Sequence, residues 1–101
     1  MKSISEKIKS EIKSEIEGND SQYMAFHNVH TECVGVYFNA DDDELAICYK
    51  AENGNECVDL FQTDGECSLE IIEYGCYESL DDFFNSFRYR GCCFVEVDMN
   101  D

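Results

Sequence analysis

The sequence predicts an α+β domain: an N-terminal helix, a mainly antiparallel sheet of five to six strands, a second helix before the last strand, and both helices on one face of the sheet. Three observations predict it. Isoleucines stand at Ile4, Ile8, Ile12 and Ile16, an interval that a helix turns into one apolar stripe. From Tyr23 to Tyr74 the apolar period drops to two, and Asn53-Gly54 and Asp64-Gly65 punctuate it as hairpin signals. Leu80, Phe83, Phe84 and Phe87 then return to helical spacing before a short apolar run.

Each element follows from its residues. Over residues 1–17, Ser3 is placed to cap the helix, with Glu6 as its capping-box partner, and Gly18-Asn19-Asp20 ends it. The stripe is narrow, so the helix either packs by one face or stands partly detached and seams a dimer. Residues 23–74 form an antiparallel meander. Its strands are expected at Tyr23–Val29, Cys33–Phe38, Glu44–Lys50, Glu56–Gln62 and Cys67–Tyr74, with His30-Thr31-Glu32 and Asn39–Asp43 as turns. Ser79 caps a helix over 79–90, with Asp82 at its third position and Arg88 and Arg90 near its C-terminal end. Gly91 ends it, and Cys92–Asp98 is the final strand, with Cys93, Val95 and Val97 inward.

At 101 residues the chain is one domain, 1–101, able to bury one modest core. Its apolar fraction of 44% and aromatic fraction of 13% are too rich for a disordered acidic protein. It has no apolar run long enough to span a bilayer and no apolar leader, so the expected location is the cytoplasm of its cell.

The net charge is −16, and all of it falls after residue 17, where Lys50, Arg88 and Arg90 are the only cations. A compact domain of this length is roughly 35 Å across. B-form DNA of that length carries about twenty charges, a comparable density. So acidic a surface excludes nucleic acid and anionic membrane as direct partners and favours a basic protein, reached by electrostatic steering.

The seven cysteines are an odd number without a Cys-x-x-Cys pair, and they read as reduced, mostly buried small hydrophobes. His27, His30 and Cys33 are the metal candidates, because two imidazoles and a thiolate are zinc ligands. Their three-residue interval turns successive strand side chains to opposite faces, which argues against one site. Asp41-Asp42-Asp43-Glu44 lacks the register of a calcium loop. No cysteine is marked as a nucleophile, and a strongly negative surface disfavours a thiolate. No cofactor and no catalytic residue are expected.

The stretch Asp41–Asp82 carries fourteen carboxylates against one cation, Lys50, on strands and tight turns rather than a tail. The expected partner-binding residues are Asp41, Asp42, Asp43, Glu44, Glu52, Glu56, Asp59, Asp64, Glu66 and Glu70. Outward strand positions and hairpin tips would repeat their charges at about 7 Å on one face. Phe61, Tyr74 and Tyr77 are expected between them as exposed aromatic anchors.

On the Asp41–Glu44 run and the acids of the two hairpins, the chain resembles the small, acidic, phage-encoded inhibitors of bacterial defence, above all the anti-CRISPR proteins that imitate DNA. The resemblance is one of size, charge and plan, without a shared motif. It implies a non-enzymatic inhibitor in the cytoplasm of a bacterial host, acting as monomer or homodimer. Its partner would be a basic nucleic-acid-binding protein, a CRISPR effector nuclease whose Arg- and Lys-lined channel takes carboxylates in place of phosphates. The competing readings are an immunity protein that caps a basic nuclease toxin, a small zinc- or thiol-dependent protein, and a dimer assembled through the isoleucine stripe.

Overall fold

The structure, a computed structural model, describes residues 4–19, 31–86 and 94–99. Its elements are α1 (Glu6–Asn19), β1 (Thr31–Asn39), β2 (Glu44–Ala51), β3 (Glu56–Thr63), β4 (Leu69–Tyr77), α2 (Leu80–Asn85) and β5 (Val95–Glu96). The five strands form one sheet in the order β4-β3-β2-β1-β5. Every neighbouring pair is antiparallel. This is the α+β class that the sequence predicts, with a helix at the N-terminus and a second helix before the last strand.

The helices do not share a face. Ile4, Ile8 and Ile12 are buried against Val36, Phe38, Leu45, Ile47, Tyr49 and Phe61, with Ile16 packed at the margin. Phe83 of α2 and Phe94 are buried on the other side, against Ala46, Cys48, Val58 and Leu60. The reason is strand alternation: β2 and β3 are apolar at odd and even positions alike, so each face needs its own cover. The isoleucine stripe is consumed inside the molecule, which removes the reading of it as a dimer seam.

Helix α1 begins two residues later than its sequence suggests. The cap is Ser5, whose Oγ accepts the Ile8 N–H at 3.2 Å, and Ser3 lies outside the described residues. Ser5 also donates through Oγ to the Glu66 carbonyl at 2.8 Å and through its N–H to the Gly65 carbonyl at 2.7 Å. These two bonds tie the start of α1 to the loop between β3 and β4. At α2 the expected cap holds: the Asp82 N–H donates to Ser79 Oγ at 3.0 Å. That helix stops at Asn85, whereas the sequence suggested 79–90.

Other boundaries shift too. Strand β1 starts at Thr31, with Thr31 opposite Ala51 and Glu32 opposite Lys50, so the expected turn at 30–32 is strand from Thr31 onward. Cys67 belongs to the loop before β4, not to the strand. Phe94, just before β5, is buried and Val95 is 47% exposed, against the expectation of Val95 inward, while Val97 packs at the margin of the α1-side core. The apolar surface of α2 calls for the larger ring. The expected strand at 23–29 and the positions Cys92 and Cys93 lie outside the described residues.

Candidate functional site: an acidic end of the sheet

Antiparallel pairing decides which acids meet. The β1–β2 turn and the β3–β4 loop fall at one end of the sheet, because Glu44 is opposite Asn39 and Gln62, and Gln62 is opposite Glu70. The β2–β3 hairpin falls at the other end, a strand length of ~25 Å away. Asp41, Asp42, Asp43, Asp64, Glu66 and Glu70 therefore gather at the first end. Glu52 and Glu56 are at the far end, with Glu32, and do not join them.

Two expected site residues are not on the surface. Glu44 is 4% exposed and Asp59 is 0% exposed. Asp59 stands on the α1 side of β3, and its Oδ1 accepts the Gly75 N–H at 2.8 Å. Burial, reinforced by the charge of Glu15, pushes its pKa up to about 6. The period-two reading had placed Asp59 outward because it treated β3 as half-buried, whereas both faces of β3 are covered. The same error applies to Phe61, which is 1% exposed. Tyr74 and Tyr77 are half-buried and pack on the two cores. None of the three is a free aromatic anchor.

The acidic loops are built by their own hydrogen bonds. Asn39 is fully buried. Its Oδ1 accepts the N–H groups of Asp41 at 3.1 Å and Asp42 at 3.3 Å. Its Nδ2 donates to Asp42 Oδ2 at 3.1 Å. Asp43 takes a left-handed backbone with φ 54°, a conformation that Asp tolerates better than most residues. Its carbonyl accepts the Thr63 N–H at 2.9 Å, joining this turn to the end of β3 where the second loop begins.

Asp64 plays the same part in its loop. Its Oδ1 accepts three backbone N–H groups, from Glu66 and Cys67 at 2.9 Å and Ser68 at 3.2 Å. Its Oδ2 accepts the Cys67 thiol at 3.3 Å. These donors hold its carboxyl well below the usual carboxylate range. Asp64 thus shapes the loop, while Asp41, Asp42, Glu66 and Glu70 are exposed and Asp43 half-exposed.

Beside these loops, Asp42, Glu44, Gln62 and Ile72 line an open groove of about 380 Å³. Sequence reasoning missed Asn39, Gln62 and Ile72. A signal for Asn39 existed: an Asn two and three residues before acidic turn positions is the pattern of a side chain that folds back on its own turn. Nothing in the sequence alone marks the groove, because it depends on register across three strands.

Of the metal candidates, Cys33 is half-buried, donates to the Gly35 carbonyl at 3.6 Å, and has its pKa raised by burial. His27 and His30 lie outside the described residues. Among the described residues no group of three or more His, Cys, Asp or Glu side chains is arranged to hold a metal ion. Cys33, Cys48, Cys57, Cys67 and Cys76 are free thiols. Burial raises the pKa of Cys48, and burial with the nearby Glu73 charge raises Cys76 to about 12. Groups so shifted stay protonated and are poor nucleophiles at neutral pH. No described helix is long and apolar enough to cross a membrane. No family of known proteins, no curated protein and no solved structure matches the chain.

Proposed function

We propose that the protein is a non-enzymatic acidic inhibitor that imitates nucleic acid. In this reading its acidic end enters the cationic channel of a nucleic-acid-binding nuclease, a CRISPR effector by resemblance of type, and excludes the nucleic acid. The observation that carries the reading is that Asn39 and Asp64 bond back to their own turns. Exposed carboxylates are thereby presented on a stiff frame. A disordered acidic tail would lose conformational freedom on binding, whereas these loops have lost it on folding.

Dimensions support the reading. The molecule measures 37 × 29 × 23 Å and carries a net charge of −16. A duplex segment as long as its greatest dimension carries about twenty charges.

The test is displacement. Increasing amounts of the protein are added to purified CRISPR effectors holding a fluorescent DNA duplex, at several salt concentrations. The expected result is release of the duplex from one effector at near-stoichiometric protein, weakening steeply as salt rises. Release that ignores ionic strength, or none from any effector, overturns the reading. Displacement from a nuclease toxin and from no effector selects the immunity-protein reading instead.

A further inference from the structure

Resting on the reading of a basic partner, we propose that the outer edge of β4 is a docking strand. It takes an extended, lysine- or arginine-bearing segment of that partner as an additional antiparallel or parallel strand.

Among the described residues β4 ends the sheet and has β3 on one side alone. Its residues Glu70, Ile71, Ile72 and Glu73 are all exposed, with Ile71 at 41% and Ile72 at 48%. An exposed edge presents backbone donors and acceptors to any strand of suitable chemistry. The edge is limited on one side: register slips between the Phe61–Ile71 and Leu60–Glu73 pairs, and again before Val58–Tyr77. Bulges of this kind bend a strand away from pairing. The stretch left for docking is therefore short and centred on Leu69–Glu73.

Charge chooses the occupant. Edge strands are commonly guarded by lysine, but here the guards are Glu70 and Glu73. A second copy of this chain would set carboxylates against carboxylates, on molecules that each carry −16. A basic strand meets the opposite situation. Its backbone would lie along β4, with its apolar side chains against Ile71 on one face and the stems of its basic residues against Ile72 on the other. A guanidinium or ammonium would then reach over Ile72 into the groove lined by Asp42, Glu44 and Gln62. Charge density alone does not call for a strand; the bare edge and the two isoleucines do.

The test uses the whole protein, isotope-labelled for NMR, and a synthetic peptide of alternating lysine and valine. A second peptide of the same sequence has every backbone amide of its central residues methylated, which keeps the charge and removes the donors of both edges. The expected result is that the first peptide shifts the amides of Leu69–Glu73, and that methylation weakens binding at least about tenfold. The Glu70→Lys/Glu73→Lys variant, altered only at exposed positions, is expected to lose the first peptide by a similar factor. Equal binding of both peptides overturns strand docking and leaves the displacement reading standing, since a basic surface would then be met by charge alone. Binding of neither peptide overturns the docking strand, and the displacement experiment still decides the inhibitor reading on its own. A dimer in gel filtration that the Glu70→Lys/Glu73→Lys change alters would make the edge a self-interface and overturn the proposal.

Discussion

The carboxylate of Asp59, in the middle of β3, accepts the backbone N–H of Gly75 at 2.8 Å, where the edge strand β4 bulges. Gly75 has φ 64°, a left-handed backbone that glycine adopts without strain. The bulge would otherwise leave its N–H without a ladder partner. Asp59 supplies one, at the cost of placing a carboxylate at 0% exposure. Its other oxygen, Oδ2, and the Tyr49 hydroxyl are buried without a hydrogen-bond partner among the described residues. Burial raises the pKa of both groups, and the charge of Glu15 of α1 adds to the shift of each.

That arrangement predicts a stability that falls as pH rises. Asp59 has a folded pKa of about 6 against an ordinary 3.8, so between these values the folded state holds a proton that the unfolded chain has lost. The contribution is complete below pH ~4 and disappears as pH rises through ~6; at 1.36 kcal/mol per unit it amounts to about 3 kcal/mol. Asp59→Asn keeps an oxygen for the Gly75 N–H and removes the charge. Urea unfolding should show the variant about 1–3 kcal/mol more stable than the parent at pH 7.5 and close to it at pH 4.5. A parent whose stability rises from pH 4.5 to 7.5, with Asp59→Asn following it, would show that this carboxylate is not the cause.

Much of the fold was legible from spacing. Ile4, Ile8 and Ile12 announce their helix because an apolar stripe has one reading, and Ser79 and Asp82 mark a helix start by capping chemistry. Asp59, Glu44 and Phe61 were misplaced for one shared reason: alternation says which residues share a face, but not whether both faces are covered. In β2, Ala46 and Cys48 are small enough to pass for an outer face, yet they lie under Phe83 and Phe94. The acidic end was half legible. The loops could be named, but pairing decides that Asp42 and Glu66 share an end while Glu52 sits at the other.

Asp64 and Cys67 give a chemical test of the second loop. The Cys67 thiol donates to Asp64, and that bond, with the adjacent negative charge, raises the thiol pKa. Asp64 behaves oppositely to Asp59 with pH. Its lowered pKa stabilises the fold at neutral pH, and that support is lost as pH falls below the ordinary 3.8. Asp64→Ala should speed alkylation of Cys67 severalfold at pH 8, read by peptide mapping, while buried Cys48 and Cys57 stay protected in the native state. An unchanged Cys67 rate would mean that the loop does not depend on this carboxylate.

Asn39 separates rigidity from charge. Asn39→Ala removes three hydrogen bonds from the β1–β2 turn and should lower stability by about 1–3 kcal/mol. The net charge is untouched. If stiff presentation matters, the variant should also displace a bound duplex less well at a temperature where it is fully folded. Full displacement by folded Asn39→Ala would reduce the role of the turn to holding the fold.

The sharpest contrast sets the two ends of the sheet against each other. Asp41→Lys with Glu66→Lys reverses two exposed charges at the acidic end, neither of which has a side-chain hydrogen bond to a neighbour among those that shape the loops. Glu32→Lys with Glu52→Lys makes the same change in net charge at exposed positions of the far end. The first pair should leave thermal stability within about 0.5 kcal/mol, as surface changes do. The second should lower it by up to about 1 kcal/mol, because a cation at position 32 faces Lys50 across the strand pair. Displacement by the first pair should weaken at least about tenfold and become less sensitive to salt, because contact charges act over a screening length of ~8 Å. The second pair should fall by a much smaller factor, since only the long-range field changes. Equal losses from the two ends would mean that total charge is what the partner feels, and that the end built by Asn39 and Asp64 has no special part in binding.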